Sequence, residues 1–264
     1  MNRSGNHRLR IHFPLPDGAD TGRCLADSQY GPILRERIEY ELSQYTREWP
    51  EPTAPMHRWV SVDGGLTVFA RGLSEYELTE DSIAVTLLRA VGDVSRGELA
   101  ARPGHAGWPT ATPEAQELGY FRAELAVATT TAGEDVGASD FAELERLAEE
   151  FHAPLAGLML QHGIGVPDVV PGPALSGDGL RLESVKPSED GASLVLRCVN
   201  VTDRRVSGGW LLPFEVDWIH RSRLDETTLR EVPVPEEGHR IAFEAGPREV
   251  VTILVEPLPL VDLD

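Results

Sequence analysis

Leu9-Arg10-Ile11-His12-Phe13 alternates apolar and polar side chains and stops at Pro14-Leu15-Pro16-Asp17-Gly18, which predicts a strand closed by a turn. From Arg58 the pattern strengthens. Trp59 to Val62 and Leu66 to Ala70 are β-branched or aromatic runs on either side of Asp63-Gly64-Gly65, the composition of a hairpin. Gly72 to Leu78 continues the alternation, Ser82 to Val91 reads as a long strand buried on at least one face, and Gly119 to Val127 alternates again. Further on, Leu180 to Val185, Ser193 to Asn200, Trp210 to Trp218, Arg240 to Ala245 and Glu249 to Val255 predict a compact antiparallel module, with turns at Pro187 to Gly191 and at Ser207-Gly208-Gly209. Strand after strand punctuated by glycine and proline is the pattern of a sandwich.

Other stretches read differently. Ile33 to Tyr45 fits either strand or helix, and Trp49-Pro50-Glu51-Pro52 forces an extended connector, because each proline keeps its predecessor out of the helical region. One helix is predicted, with Asp140 as its cap, Glu143 at the third position, and Phe141, Leu144, Leu147, Ala148 and Phe151 on one core-facing stripe. From Gly163 to Gly179 the composition breaks: Pro167, Pro171 and Pro173 alternate with Gly165, Gly172, Gly177 and Gly179, which marks a linker or long loop. The expectation is a mainly β chain with about one helix: a large antiparallel sandwich over residues 1–165, then the linker and a smaller antiparallel β module over 166–264.

A chain of 264 residues has room for one large or two modest domains. Its 43 acidic against 24 basic side chains leave a net charge of −19, which argues against nucleic-acid and membrane-surface partners. The nearest basic runs, His7-Arg8-Leu9-Arg10 and Arg204-Arg205, are short. Cys24 and Cys198 each sit in an expected strand and read as small buried hydrophobes in a reducing, cytoplasmic setting, with a disulfide between them left open. Met1 to Arg10 lacks the apolar core of an export signal, and no run reaches the length of a membrane span.

Sites for chemistry are scarce. Zinc needs three or four convergent ligands, usually with a close-spaced pair, whereas His7 and His12 fall on opposite faces of a strand and His57, His105, His152, His162, His220 and His239 are scattered singly. No Gly-x-Ser-x-Gly elbow occurs, Cys24 has no setting for a reactive thiol, and Gly163-Ile164-Gly165 lacks the Lys-Ser/Thr partner of a phosphate cradle. Any two of the 43 acids could serve as the acid and base of a glycosidase, but sequence does not show their separation. The chain is therefore expected to carry no catalytic residue and no metal site of its own.

Several stretches resemble one family, the family 38 glycoside hydrolases, which comprise α-mannosidases and bacterial relatives. Asn6-His7-Arg8-Leu9-Arg10-Ile11-His12-Phe13 is similar to the strand that opens that family's C-terminal β region, and Ala26-Asp27-Ser28-Gln29-Tyr30-Gly31 to the segment shortly after it. Gly72-Leu73-Ser74-Glu75-Tyr76-Glu77, Thr86-Leu87-Leu88-Arg89-Ala90-Val91-Gly92, Arg102-Pro103-Gly104-His105-Ala106-Gly107 and Thr112-Pro113-Glu114-Ala115-Gln116 follow in order and spacing. Glu249-Val250-Val251-Thr252-Ile253-Leu254 resembles the closing strand. The likeness covers nearly the whole chain, with gaps at the helix and the Pro/Gly loop, and is more specific in the first half.

The resemblance implies a galactose-mutarotase-like sandwich and a smaller module behind a zinc-dependent (β/α) barrel. The family's zinc ligands and aspartate nucleophile lie upstream of the opening strand, so none falls on this sequence; barrel and zinc would come from outside it. Because Met1 immediately precedes an element already inside the family fold, a truncated gene product is the favoured account, against a free-standing chain that works with a separately encoded barrel. Asp27, Gln29 and Tyr30 are the candidate contacts to a mannoside, with Asp27 and Ser28 equally suited to a plain turn and Tyr30 to a plain sandwich aromatic. The alternative is a stand-alone carbohydrate-binding or assembly module that stacks sugars on Trp59, Trp108, Trp210 or Trp218.

Overall fold

A computed structural model describes residues 1–39, 41, 48–129, 138–153, 172–235 and 239–258, with backbone alone at 138–142. The chain divides into two compact units, Met1–Asp140 with Arg146–Ala153 and Phe141–Glu145 with Pro154–Asp264. All strand pairs among the described residues are antiparallel, and the mainly β architecture with one α-helix agrees with the sequence pattern. The expected boundary between residues 165 and 166 lies outside the described residues, as do positions 163–171 of the Pro/Gly stretch.

In the first unit, β1 (Arg8–Pro14), β4 (Thr53–Pro55), β7 (Glu75–Leu78) and β8 (Ser82–Arg89) form a sheet in the order β1-β8-β7-β4. Facing it, β2 (Arg23–Ala26), β3 (Ile33–Glu36), β5 (Trp59–Ser61), β6 (Thr67–Arg71) and β11 (Glu124–Ala128) run in the order β11-β6-β5-β2-β3. Alternation explains the pairing of layers: Tyr76, Leu78, Ile83 and Val85 point in from one sheet and meet Cys24, Ala26, Val60, Val68 and Ala70 from the other. Burying each large aliphatic of this set contributes about 1.5–3 kcal/mol. The hairpin expected around Asp63-Gly64-Gly65 joins β5 to β6, with Gly64 at φ +63°, a conformation that suits glycine.

Between β8 and β11 lie the two-residue strands β9 (Glu98–Leu99) and β10 (Arg102–Pro103) and a 3-10 turn at Pro113–Gln116. Alternation over Gly119 to Val127 predicts a longer strand than the fold contains. Pairing with β6 begins only at Glu124, because Gly119 takes φ +123° and is held in a bridge with Asn2 instead. Ile33–Glu36 resolves the ambiguous stretch as strand; positions 40 and 42–45 of that stretch lie outside the described residues.

The helix α1 (Ala138–His152) starts two residues before Asp140, so Asp140 belongs to its first turn and is not its cap. The last turns of α1 lie on the outer face of the β5-β6 pair: Phe151 meets Phe69 at 6.4 Å between ring centroids, His152 Nε2 is 3.3 Å from the Ala70 carbonyl oxygen, and the Arg71 guanidinium sits over the Phe151 ring.

In the second unit, β12 (Ala174–Ser176), β15 (Val206–Leu211) and β18 (Arg240–Ala245) make one sheet in the order β12-β15-β18. The other contains β13 (Leu180–Pro187), β14 (Leu194–Asn200), β16 (Val216–Ser222), β17 (Thr228–Val232) and β19 (Val250–Pro257) in the order β13-β14-β19-β16-β17. Leu196, Cys198, Ile219, Val251, Ile253 and Val255 close against Trp210, Ile241 and Ala245. The turn predicted at Ser207-Gly208-Gly209 is instead the interior of β15. Gly208 is there for close approach: a Cβ would sit 2.2 Å from Leu180 Cδ1 and 3.0 Å from Phe243 Cζ.

Cys24 and Cys198 are free, buried, and in different units. Burial pushes both thiols up, Cys198 to about 12, because a thiolate would lose its hydration; for Cys24 the hydrogen bond with Tyr76 offsets part of the rise. A raised folded pKa means that this contribution to stability is fully present below the unfolded thiol value, about 8.5, and is lost as pH rises through that of the folded state. At pH 8 a thiolate-directed reagent should therefore label neither cysteine in the native chain and both in denaturant. Native labelling at the rate of a free thiol would contradict this burial. Among the described residues no helix is long and apolar enough to cross a membrane.

Candidate functional site

Asp27 follows directly on β2, and its side chain has no solvent exposure. Its backbone nitrogen donates to the Trp59 carbonyl at 2.9 Å, and its carbonyl accepts from the His57 nitrogen at 3.0 Å, so β5 clamps it in place. Arg58 Nε donates to Asp27 Oδ2 at 2.7 Å, His57 Nδ1 stands 3.5 Å from the same oxygen, and the other side of the guanidinium reaches Glu149 of α1 at 3.3 Å. A carboxylate this deep is tolerable only because the guanidinium accompanies it. The chain then turns, with Gly31 nitrogen donating to the Ser28 carbonyl, and carries Gln29 and Tyr30 into solvent. The three candidate residues therefore divide: Asp27 faces inward as an anchor, while Gln29 and Tyr30 are presented outward on a fixed base.

The tryptophans divide as well. Trp59 and Trp210 are fully buried in their cores and offer no face to a sugar. Trp218 is half-buried, donates its indole N–H to Glu256 and stacks on His220 at 4.4 Å. Trp108 is 86% exposed, and Val94, Leu118, Tyr120 (88%) and Phe121 are exposed in the same segment between β8 and β11. That segment is nevertheless pinned: Asn6 nitrogen donates to Gln116 Oε1 at 2.7 Å, Gln116 Nε2 donates to Asn6 Oδ1 at 3.1 Å, and Asn2 Nδ2 donates to the carbonyls of Gln116 and Glu117. Gln116 of the Thr-Pro-Glu-Ala-Gln stretch thus ties the segment to the N-terminal residues.

Among the described residues no three histidine, cysteine or carboxylate side chains gather as metal ligands. His12 is bonded to Ser82 at 3.0 Å, and His162 lies outside the described residues. The described residues offer no fitting donor set for the zinc that the resemblance implies. One grouping escaped sequence reading. Arg8, Arg89, Arg96 and Arg102, from four separate stretches, line one cleft of about 430 Å³ in the first unit. Of the four only Arg8 falls in a basic run; the pairing of β1 with β8 and the folding back of the next segment bring the arginines together.

Residues 179–253, most of the second unit, match the model of the glycosyl hydrolases family 38 C-terminal beta sandwich domain. The second unit is thus similar to the C-terminal β sandwich of glycosyl hydrolase family 38. The family 38 model falls on the half in which the residue-by-residue likeness is weaker. Along 97% of its length the chain is 30% identical to a Halalkalibacterium halodurans protein named "Putative mannosylglycerate hydrolase", of which it covers 26%. An Enterococcus faecalis α-mannosidase structure superposes on 97% of the chain with a TM-score of 0.65 at 24% identity, and 26% of that structure is covered. A second Enterococcus faecalis structure, of a protein in family 38, gives the same TM-score and identity with 27% covered. The chain spans about a quarter of the length of the relatives it matches.

Proposed function

We propose that this chain is the non-catalytic C-terminal β region of an α-mannosidase-type family 38 glycosyl hydrolase, and that it braces a catalytic barrel that other residues supply. The observation that carries the reading is one of coverage: almost all of this chain aligns with only a quarter of each relative. The exposed apolar side chains Val94, Trp108, Leu118, Tyr120 and Phe121 support it, since a segment so rich in exposed apolar side chains suits a partner face. Gln29 and Tyr30, held out by the Asp27 anchor, are the proposed carbohydrate contacts of the loop. Zinc belongs to the proposed barrel, and the two buried free thiols suit a reducing, cytoplasmic setting.

The test is a hydrolase assay of this chain with an aryl α-mannoside, with and without added zinc. No turnover is expected; turnover by the chain alone would overturn the reading. A stand-alone carbohydrate-binding module is the second reading, favoured by the exposure of Trp108 and Tyr120. Calorimetry with neutral mannosides separates the two: saturable binding that Trp108→Ala abolishes supports the module.

A further inference from the structure

We infer that a cleft at the open side of the first unit's sandwich binds a small monocarboxylic acid with an apolar body, its carboxylate on Arg35. β3 and β4 are the end strands of their respective sheets, and residues of both line one cleft of about 280 Å³. Cys24 of β2 and Arg35 of β3 are direct partners on the antiparallel ladder, so both side chains leave the sheet on the same face, toward the cleft. Tyr76 and Leu78 of β7 and Ala54 of β4 meet them from the other sheet, and Ile38 and Pro52 complete the apolar part of the lining. A largely apolar cleft on which a few polar groups converge is the ordinary form of a small-molecule site.

Arg35 is the group in this cleft whose needs are not met. Its Nε is buried without a hydrogen-bond partner, and no carboxylate among the described residues lies within ion-pair distance of its guanidinium. Other arginines with little exposure are held: Arg10 by Glu77, Arg58 by Asp27, Arg221 by Glu249, and Arg197 by the Leu224 carbonyl. The neighbours of Arg35 do not supply the missing charge. Cys24 Sγ and the Tyr76 hydroxyl bond each other at 3.2 Å, and burial pushes the pKa of both up, so both stay neutral. Arg37 is engaged by Glu39 and Glu80, and Glu36 lines the cleft without closing on Arg35. A forked guanidinium with free donors takes a carboxylate in two parallel hydrogen bonds. One uncommitted cation beside Glu36 favours a single negative charge over a phosphate. Ile38, Pro52, Ala54 and Leu78 favour a branched aliphatic or aromatic body over hydroxyl groups, which would be buried there without partners.

The site is independent of any catalytic partner, so its failure would leave the proposed function standing. The test is titration calorimetry of the full chain with benzoate and isovalerate, with benzamide, D-glycerate and inorganic phosphate as comparisons. Saturable binding of a carboxylate is expected, weaker at higher salt, and about tenfold weaker or absent for the three comparison compounds. The tighter of the two acids tells whether the body is aromatic or branched. Arg35→Gln should lower the affinity by about tenfold or more. Ile38→Glu, at a side chain 40% exposed, is a second variant should the first melt early: it brings an internal carboxylate to the cleft and should compete to similar effect. The inference is overturned by absence of saturable binding for both acids, by any comparison compound binding as tightly, or by an unchanged affinity in either variant with a native melting curve.

Discussion

Asp27→Ala is expected to lower the folding stability of the chain by about 3–5 kcal/mol, the cost of breaking a buried ion pair. The cation of that pair is Arg58, whose side chain is 11% exposed and which loses its 2.7 Å partner. Glu149 stands 3.3 Å from the guanidinium, but its own side chain is 58% exposed, so solvent screens most of what it could offer in compensation. The double change Asp27→Ala with Arg58→Met should recover part of the loss, because it removes both charges of the pair. Denaturant unfolding followed by far-ultraviolet circular dichroism measures both. If the single variant loses less than about 1 kcal/mol, the carboxylate is no anchor for its loop.

Trp210→Ala is the second large effect, about 3–5 kcal/mol from lost burial and the cavity left behind. Trp210 is fully buried, lies between Leu175 and Ile241 in neighbouring strands, and faces the sheet that contains Leu196 and Val255. Trp108→Ala serves as the control at 86% exposure and should change stability by no more than about 0.5 kcal/mol. The same unfolding curves decide the matter; equal losses in the two variants would mean that Trp210 does not hold its sandwich together.

The contrast between these tryptophans shows how far the sequence could be read. Alternating or β-branched apolar runs locate β1, the β5-β6 hairpin, β8, β14, β18 and β19, because all but β1 and β18 bury most of their side chains and apolar rhythm follows burial. The same rule could not say which tryptophan was inside, since Trp59 and Trp108 differ in what the rest of the fold lays over them. Gly208 misled for a related reason: glycine marks both turns and close approaches, and only the positions of Leu180 and Phe243 distinguish the two. β12 and β17 were not read, one lying inside a Pro/Gly-rich stretch and the other being an exposed edge without apolar rhythm.

At the site level, the sequence put Asp27, Gln29 and Tyr30 forward together, but not that one faces inward and the other two outward. Asp27 has the composition of a turn residue, and its burial depends on Arg58, which is distant in sequence. The arginine cleft was invisible for the same cause: residues 8 and 89 become neighbours only through strand pairing. The motifs that carry the family likeness, by contrast, were legible because they are local. One of them, ending in Gln116, has a plain architectural task in pinning Asn6.

The outermost strands of the second unit's larger sheet have a bearing on how copies of the chain behave when crowded. β13 has a register shift between Leu182 and Ser184 and ends in Pro187, while β17 exposes Arg230 and Glu231 next to a second shift in its partner strand. A kinked margin with a proline and a charged margin each make a poor template for a further strand. Concentrated solutions should accordingly resist the ribbon-by-ribbon growth that leads from an open sheet toward fibrils.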